Sequence, residues 1–265
     1  MFFFTPIVRN LLIINVVIFV LRFFIHIDFF KLFGLHCLLS DSFQPYQLLT
    51  NIFIHADFSH LFSNMIGLLV FGSMLEEYIG SRKFLFLYLF TGYAACVLYA
   101  GIDFLEMWML RREIDNFLLN PSPELFAAIL GRYDSLTYYY EGLYNFIQNI
   151  YPAAPDDWEN IEFAKKSIKS LYYTIVNNSY LIGASGAVFG VMMGAVLFFP
   201  NREMILIFFP FFPIKMKYLI ATYAAWEIYA LIENRPNDNV AHFVHISGMI
   251  FGFLLIRYWQ RKRAI

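Results

Sequence analysis

Six apolar segments recur along the chain, separated by short polar turns and by one long polar region. Roughly 20 apolar residues in a helix cross the hydrocarbon core of a bilayer, and fewer suffice where a helix ends in a cavity. The pattern therefore predicts six membrane-spanning helices, with both termini on one side of the membrane. Their approximate ranges are 11–29, 60–78, 84–104, 184–199, 218–232 and 240–259.

The region between the third and fourth segments has a different composition. Acidic residues outnumber basic ones there, prolines occur at 121, 123, 152 and 155, and no stretch is apolar enough to span a membrane. Patches at 125–130 and 161–175 have the spacing of short amphipathic helices. We expect a small, mostly helical, extracytoplasmic insertion at 105–178 within a single membrane domain of residues 1–265.

The composition is that of an integral membrane protein. Hydrophobic residues make up 60% of the chain, aromatic residues 20% and charged residues 15%, and the mean hydropathy is +0.58. A soluble domain is less apolar than this. The net charge of -1 provides no basic surface to balance a phosphate backbone, so no nucleic-acid partner is expected. No framework of metal-ligating residues is apparent, and we predict no metal site.

Lysine and arginine in the short connections predict the orientation of the protein, because loops rich in these residues stay preferentially in the cytoplasm. Successive spans cross the membrane in alternating directions, so every second connection lies on the same side. That side has Arg82 and Lys83, the loop 202–217 and the tail 257–263. We expect a multi-pass protein of the cell membrane with cytoplasmic termini, in which the first loop, the insertion and the turn 233–239 face outward. The apolar run after Arg9 has no small-residue cleavage site, which indicates a retained helix rather than a signal peptide.

Four of the polar side chains expected at membrane depth stand out as candidates for chemistry. Polar groups are costly there and are candidates for function. His60 and Asn64 are four residues apart at the outer end of the second segment, so they share one helix face. Ser185 begins the fourth segment, and His245 lies near the outer end of the sixth. All four side chains are therefore expected at one level of the membrane.

Glycines at four-residue spacing predict that the fourth and sixth helices pack closely. They occur at 186, 190 and 194 in the fourth segment, and as Gly248 and Gly252 in the sixth. Small residues at this spacing let helix backbones approach each other. His245 precedes these two glycines by three and seven residues, so its imidazole shares the face that contacts the fourth helix.

This packing brings Ser185 to His245 and predicts a nucleophile activated by a base. Phe189, one turn after Ser185, is placed to stack on the imidazole and to hold its orientation. No Asp or Glu is evident as a third member, so the expected unit is a dyad. His242 is a competing base. His245 is preferred because Gly248 and Gly252 follow His245 at helical spacing, by three and seven residues.

The start of the fourth helix also supplies hydrogen-bond donors for an oxyanion. The first N–H groups of a helix have no partner within it and carry the positive end of its dipole. The side chains of His60 and Asn64 add two donors. Nucleophile, base and donors together fit peptide hydrolysis better than binding alone. Glu76, near the cytoplasmic end of the second segment, and Glu227, inside the fifth, are interpreted as structural hydrogen-bonding groups.

Four stretches resemble the signatures of the rhomboid intramembrane serine proteases. They are Gly-Ala-Ser-Gly at 183–186, the run 55–65 with His55, His60 and Asn64, Phe-Gly-Ser-Met-Leu-Glu at 71–76, and Ala-His-Phe-Val-His-Ile-Ser-Gly at 241–248. Their order and spacing match across all six segments. The resemblance covers the chain except for the insertion and the details of the first loop.

The resemblance implies an all-α, six-transmembrane-helix bundle with a cavity that opens outward. It further implies a Ser185/His245 dyad, and an oxyanion site formed by His60, Asn64 and the Ser185 amide. The expected substrates are single-span membrane proteins in the lipid bilayer, cleaved in or near their transmembrane segments without a cofactor. Supporting positions are Gly183, Gly186, Phe189 and Gly248.

Two features depart from the family pattern. The family often has a Trp-Arg pair in the first loop, where this chain has Tyr46 and Gln47, so we expect the loop to be anchored differently. The connection between the third and fourth helices is usually short, whereas here it is the largest soluble piece. Two interpretations of it stay open: it rests on the surface, or it caps the site.

Two other functions are alternatives to the protease. One is a catalytically silent rhomboid-like protein that binds membrane segments. Such a protein is expected to lack the serine or the histidine, whereas both are present here. The other is a small transporter, which should show related halves or broken helices. No internal repeat is apparent, and the polar residues gather at the outer end.

Overall fold

The computed structural model describes residues 4–132, 141–206, 209–233 and 240–262. The described chain is mostly helical and forms two compact units. The first unit consists of Met1–Leu35, Ser42–Ala100 and Tyr180–Ile265, and the second of His36–Asp41 and Gly101–Ser179. The turn expected at 233–239 lies almost wholly outside the described residues.

Helices occupy all six apolar segments. Among the described residues, Phe58–Ile79 and Ser81–Leu119 are long and apolar enough to cross a membrane, whereas two other apolar helices are shorter. The number of spans therefore stays a prediction. The helices are Pro6–Leu21, Phe58–Gly67, Ser73–Ile79, Ser81–Leu119, Ser185–Phe198, Met216–Glu233 and His242–Arg261. A π-helical turn, Leu68–Gly72, joins Phe58–Gly67 to Ser73–Ile79, and these pieces together fill the second apolar segment.

The first helix begins and ends earlier than the predicted range 11–29. It begins at Pro6, whose fixed φ suits the first turn of a helix. The Glu76 carboxylate accepts hydrogen bonds from the backbone N–H groups of Ile7 and Val8, at 3.0 and 2.9 Å. These two donors have no partner within their own helix. Glu76 thus caps the first helix, which confirms its interpretation as a structural group.

Arg22 explains where the first helix ends. The helix stops at Leu21, and the Arg22 guanidinium donates to the backbone carbonyls of His55 and Ala56, at 2.6 and 2.9 Å. The sequence placed Arg22 inside a span, but its side chain instead ties the chain to the loop that precedes the second apolar helix. The residues directly beyond it are turns, and a short separate helix follows at Phe29–Phe33.

The third helix is longer than predicted. It runs without a break over Ser81–Leu119, whereas the sequence analysis ended the span at 104 and began the insertion there. Between 105 and 119 the chain has no glycine or proline, so nothing stops the helix before Asn120 and Pro121. Ser122 then caps the following helix by accepting a hydrogen bond from Leu125 N–H.

The second unit is helical and has its own hydrophobic core. The helices predicted at 125–130 and 161–175 are confirmed and lie within Pro123–Gly131 and Trp158–Asn178. Shorter helical pieces occupy Glu141–Asn145, Phe146–Ile150 and Tyr151–Ala153. The buried core consists mainly of Phe117, Phe126, Ile129, Leu130, Phe146, Tyr151, Ala164 and Ile168.

Short strands correct the all-α prediction. The connection between the fourth and fifth helices contains an antiparallel hairpin of Glu203–Leu206 and Phe209–Lys215, with Glu203 opposite Lys215. Prolines at 210 and 213 lack the N–H groups that a helix interior needs, so this apolar stretch is extended instead. Two-residue strands also occur at Leu35–His36 and Tyr180–Leu181. The fold is mostly, not purely, helical.

The helix that begins with Ser185, called the serine helix (Ser185–Phe198), lies at the centre of the first unit. Ten of its residues are buried, from Ser185 through Ala195. An added Cβ at Gly190 would lie 2.5 Å from Thr91, and one at Gly92 would lie 3.1 Å from Ala187. The third helix therefore packs closely against the serine helix.

Candidate active site

The serine helix and the helix His242–Arg261, called the histidine helix, meet through glycine. A Cβ at Gly252 would lie 2.5 Å from the carbonyl oxygen of Gly190, and a Cβ at Gly248 would overlap the carbonyl oxygen of Gly186. Real Cβ atoms do not approach oxygen this closely, so only glycine allows the contact. The close approach predicted from the glycine spacing is confirmed.

This contact places the His245 imidazole against the serine helix. The imidazole lies parallel to the ring of Phe189, with 4.3 Å between ring centroids and 10° between planes. Phe189 follows Ser185 by one turn, so the two side chains share a helix face. Ser185 is the first residue of the helix, and both it and His245 are buried. The stack predicted for Phe189 is therefore present.

Glu227 contacts the Nδ1 edge of the same imidazole. Its Oε2 atom lies 2.9 Å from Nδ1 of His245 and 2.6 Å from Nδ1 of His242. Glu227 belongs to the fifth helix, Met216–Glu233, and all three side chains are buried. One carboxylate oxygen thus meets two imidazole nitrogens that are one helical turn apart.

The sequence analysis missed this partner. It found no Asp or Glu for the histidine and interpreted Glu227 as a structural group. An acidic residue inside an apolar helix was the available signal, because such a charge needs a partner at membrane depth. Which partner it meets depends on how the fifth helix packs beside the sixth, and periodicity along one helix does not give that relationship.

The distances between the ligand atoms of Glu227, His242 and His245 fit direct hydrogen bonds better than a shared metal ion. Glu227, His242 and His245 each offer one ligand atom within 4.8 Å of the others. Ligand atoms around a tetrahedral zinc ion lie about 3.3 Å apart, since each is about 2.0–2.1 Å from the metal. The separations of 2.6 and 2.9 Å are those of N–H to carboxylate hydrogen bonds.

His60 lies against the chain segment that leads into Ser185. An added Cβ at Gly183 would lie 2.6 Å from Nε2 of His60. Gly183 has a φ of +118°, which L side chains rarely adopt. The Ala56 N–H donates to Nδ1 of His60 at 3.4 Å. In the neutral imidazole Nε2 then carries the proton, so His60 presents an N–H donor beside Gly183.

Asn64 is buried one turn after His60. Its side-chain amide donates to the His60 carbonyl oxygen at 2.8 Å. This bond uses one of the two N–H hydrogens of the amide and fixes the side chain against its own helix. Asp57 caps the start of the second apolar helix, and its carboxylate accepts from the His60 N–H at 2.8 Å. His60 and Asn64 therefore share a face, as predicted.

The first loop is anchored by a buried glutamine. The Gln47 side chain donates to the carbonyl oxygen of Ser42 at 3.0 Å, and its own oxygen accepts from the Gln44 N–H at 3.1 Å. Asn51 continues the connection: its side chain donates to the Gln47 carbonyl, and its carbonyl accepts from Gly183 N–H at 3.0 Å. The loop that departs from the family pattern thus ends on the Gly183 segment.

His55 is buried beside His60. Their ring centroids are 5.1 Å apart and their planes are inclined at 68°. Burial, with a smaller contribution from the neighbouring His60, lowers the pKa of His55 to about 3. His55 is therefore neutral at every pH at which the protein would be assayed, and its backbone carbonyl receives the Arg22 guanidinium.

Comparison with known families shows the family of this chain. The family model described as the Rhomboid domain matches residues 42–129 and 164–262. The chain belongs to the rhomboid family. Within this rhomboid, the matched ranges contain His60, Asn64, Ser185, Glu227 and His245, and the unmatched residues 130–163 lie inside the predicted insertion. No curated protein and no solved structure gives a significant match.

Family membership and the apolar helices make this rhomboid a membrane protein. Rhomboids are typically intramembrane serine proteases. The geometry brings together the predicted supporting residues of the serine and histidine helices, and the predicted donors His60 and Asn64 lie on one helix with His60 at Gly183. The catalytic role of each of these residues stays a prediction.

Proposed function

We propose that this rhomboid is an intramembrane serine endopeptidase that hydrolyses peptide bonds in or near the transmembrane segments of membrane-anchored proteins. The observation that carries the proposal is the stack of His245 on Phe189, one turn from Ser185, across a glycine-to-glycine helix contact. It supports a nucleophile at the buried start of the serine helix and a base that the histidine helix holds beside it. A protein that only binds membrane segments has no need of this arrangement.

In the proposed reaction the Ser185 hydroxyl attacks the scissile carbonyl while His245 takes its proton. Nδ1 of His245 bonds to Glu227, so Nε2 is the nitrogen left to act as base. The protonated imidazole then gives its proton to the leaving amine, and an acyl-enzyme forms on Ser185. Water, deprotonated by His245 in turn, hydrolyses the ester and restores the serine.

Three donors are available for the carbonyl oxygen as it becomes an oxyanion. The Ser185 N–H is the first of its helix and has no partner within that helix. The Nε2–H of His60 lies at Gly183, two residues before Ser185. Asn64 keeps a second amide hydrogen besides the one bonded to the His60 carbonyl. Preorganised donors of this kind typically stabilise a transition state by ~3–4 kcal/mol each.

The proposal extends to six spans with cytoplasmic termini and an active site that opens to the outside. Arg82, Lys83, Lys215 and Arg257 lie at the ends of helices that parity places on one side. The start of the serine helix then faces the other side. Single-span proteins cut near their outer boundary are the proposed substrates, since an unwound segment reaches a buried serine there.

The test is cleavage of tagged single-span reporters by the purified protein in liposomes. We expect cleavage by the wild type and a loss of at least about 10³-fold in Ser185→Ala and in His245→Ala, with both variants folded. Cleavage that persists in Ser185→Ala would contradict the proposal. Binding of reporters by the wild type with no cleavage, and no labelling of Ser185 by a fluorophosphonate, would favour the catalytically silent alternative.

A further inference from the structure

We propose that Glu227 is a positioning residue for catalysis, the third member of a Ser185–His245–Glu227 unit. The inference rests on the proposed protease function and adds a residue from the fifth helix to it. Three lines of geometry carry the inference: the bond from His245 to Glu227, the clamping of the His245 ring from two directions, and the second histidine that holds the same carboxylate.

The bond between Glu227 and His245 fixes which nitrogen of the base is available. An ionised carboxylate only accepts hydrogen bonds, so Nδ1 of His245 carries the proton in the 2.9 Å contact. The lone pair of the neutral ring is then on Nε2. Without Glu227, the two tautomers compete, and the tautomer protonated at Nε2 is unable to take a proton from Ser185 at that atom.

Two contacts of different kinds restrain the His245 ring. Glu227 bonds its Nδ1 edge at 2.9 Å, and Phe189 covers one face, with 4.3 Å between ring centroids. The edge contact stops the ring from rotating about its own normal, and the face contact stops it from tilting. Both groups are buried, so water does not compete for the hydrogen bond. The side chain of the base is therefore held in one orientation.

His242 holds the carboxylate in place. Its Nδ1 lies 2.6 Å from the same oxygen of Glu227, and its ring is inclined at 82° to that of His245. Two donors on one oxygen favour the ionised form of Glu227. When His245 becomes an imidazolium during the reaction, this carboxylate stabilises the positive charge. Among the described residues, His60 of the second apolar helix also interacts electrostatically with His245.

The test is Glu227→Gln, which keeps the size of the side chain and removes its charge. We expect kcat to fall about 10²–10⁴-fold with KM within about twofold, by analogy with removal of the acid from a Ser-His-Asp triad. The acid limb of kcat/KM should also move to lower pH, because the protonated His245 loses the carboxylate that stabilises it. His242 loses the same charged partner, and His60 has no bond to Glu227 to lose. A purely structural role would not move this limb.

Two further variants keep the test interpretable. Glu76→Gln makes the same chemical change at the other buried glutamate, which caps the first helix; it should lower thermal stability and leave kcat of the folded protein within about twofold. Glu227→Asp keeps the charge and should retain at least about tenfold more kcat than Glu227→Gln. If Glu227→Gln does not fold, Glu227→Asp is compared with Glu227→Ala instead. The same two quantities are measured, kcat and the acid limb of kcat/KM.

Three outcomes would overturn the inference. The first is a kcat of Glu227→Gln within about threefold of wild type while Ser185→Ala and His245→Ala are inactive. This result would disprove the positioning role of Glu227 and leave the proposed protease function standing. Equal kcat values for the Asp and Gln variants would show that the charge does not act. An active Ser185→Ala would instead mean that the protease mechanism itself is wrong.

Discussion

The carbonyl oxygen of Gly186 occupies the position that a side chain at Gly248 would need. The backbones of the serine and histidine helices are therefore in direct contact one residue after Ser185 and three residues after His245. The distance between nucleophile and base depends on this contact, because each side chain is attached to a helix that has no room to move closer to the other.

We predict that Gly248→Ala separates the two helices. Its Cβ overlaps backbone, which does not yield as a flexible side chain does. We expect a loss of stability of about 3 kcal/mol, the upper end for overpacking, and a loss of proteolysis of about 10²-fold or more, because a misplacement of about 1 Å at a reacting pair costs that much. Thermal unfolding in detergent and reporter cleavage measure the two effects.

The matched control is Gly101→Ala, in the third helix, where an added Cβ meets nothing within 4 Å. Alanine is the better helix former by about 0.5–1 kcal/mol, so this variant should be as stable as wild type or more stable, and fully active. Equal activities of the two variants would show that the helix contact does not determine the geometry of the site.

A side chain at position 183 should strain the backbone and also displace the His60 imidazole. Gly183→Ala places a Cβ 2.6 Å from His60 Nε2 at a φ of +118°, whereas Gly80→Ala meets nothing within 4 Å at a φ of +81°. Both variants should lose about 1–2 kcal/mol from a left-handed backbone. Only Gly183→Ala should lower kcat as well, because it displaces the proposed oxyanion donor. Equal kcat values after correction for folded protein would argue against that role of His60.

Acid should destabilise the protein through His55. The pKa of His55 is about 3 in the folded protein, against an ordinary value of 6.5. The unfolded chain therefore binds a proton that the folded one does not, and stability falls as the pH is lowered from about 6.5 towards 3, by up to about 1.4 kcal/mol per pH unit. Above pH 6.5 this residue contributes no pH dependence.

The check is the unfolding midpoint between pH 7.5 and 5. His55→Gln should flatten its pH dependence, whereas His26→Gln, at an exposed histidine, should keep the wild-type slope. Identical slopes for the wild type and His55→Gln would mean that His55 is accessible to protons in the folded protein.

Features that depend on one helix at a time were predictable from the sequence. The glycine spacing of the serine and histidine helices predicted their contact, and the interval of four residues between Ser185 and Phe189 predicted the ring stack. The reason is that 3.6 residues per turn fix which side chains share a face. The same reasoning located the two longer helices of the insertion.

Features that depend on distant parts of the chain were not predictable in this way. The first helix starts at Pro6 because Glu76 caps it, and the Thr5 hydroxyl bonds to that carboxylate from 71 residues away. Glu227 meets His245 because the fifth and sixth helices pack side by side. Hydropathy also ranks an extended apolar hairpin and an apolar helix alike, so the strands Glu203–Leu206 and Phe209–Lys215 were missed.

Labelling by a fluorophosphonate, followed by mass spectrometry of the modified peptide, tests the central claim most directly. The probe reacts with a serine only where a base activates the hydroxyl. We predict that the wild type in liposomes carries the phosphonyl group on Ser185, and that His245→Ala abolishes the modification while the protein stays folded. Labelling of another serine, or labelling of Ser185 that persists unchanged in His245→Ala, would contradict the assignment of nucleophile and base.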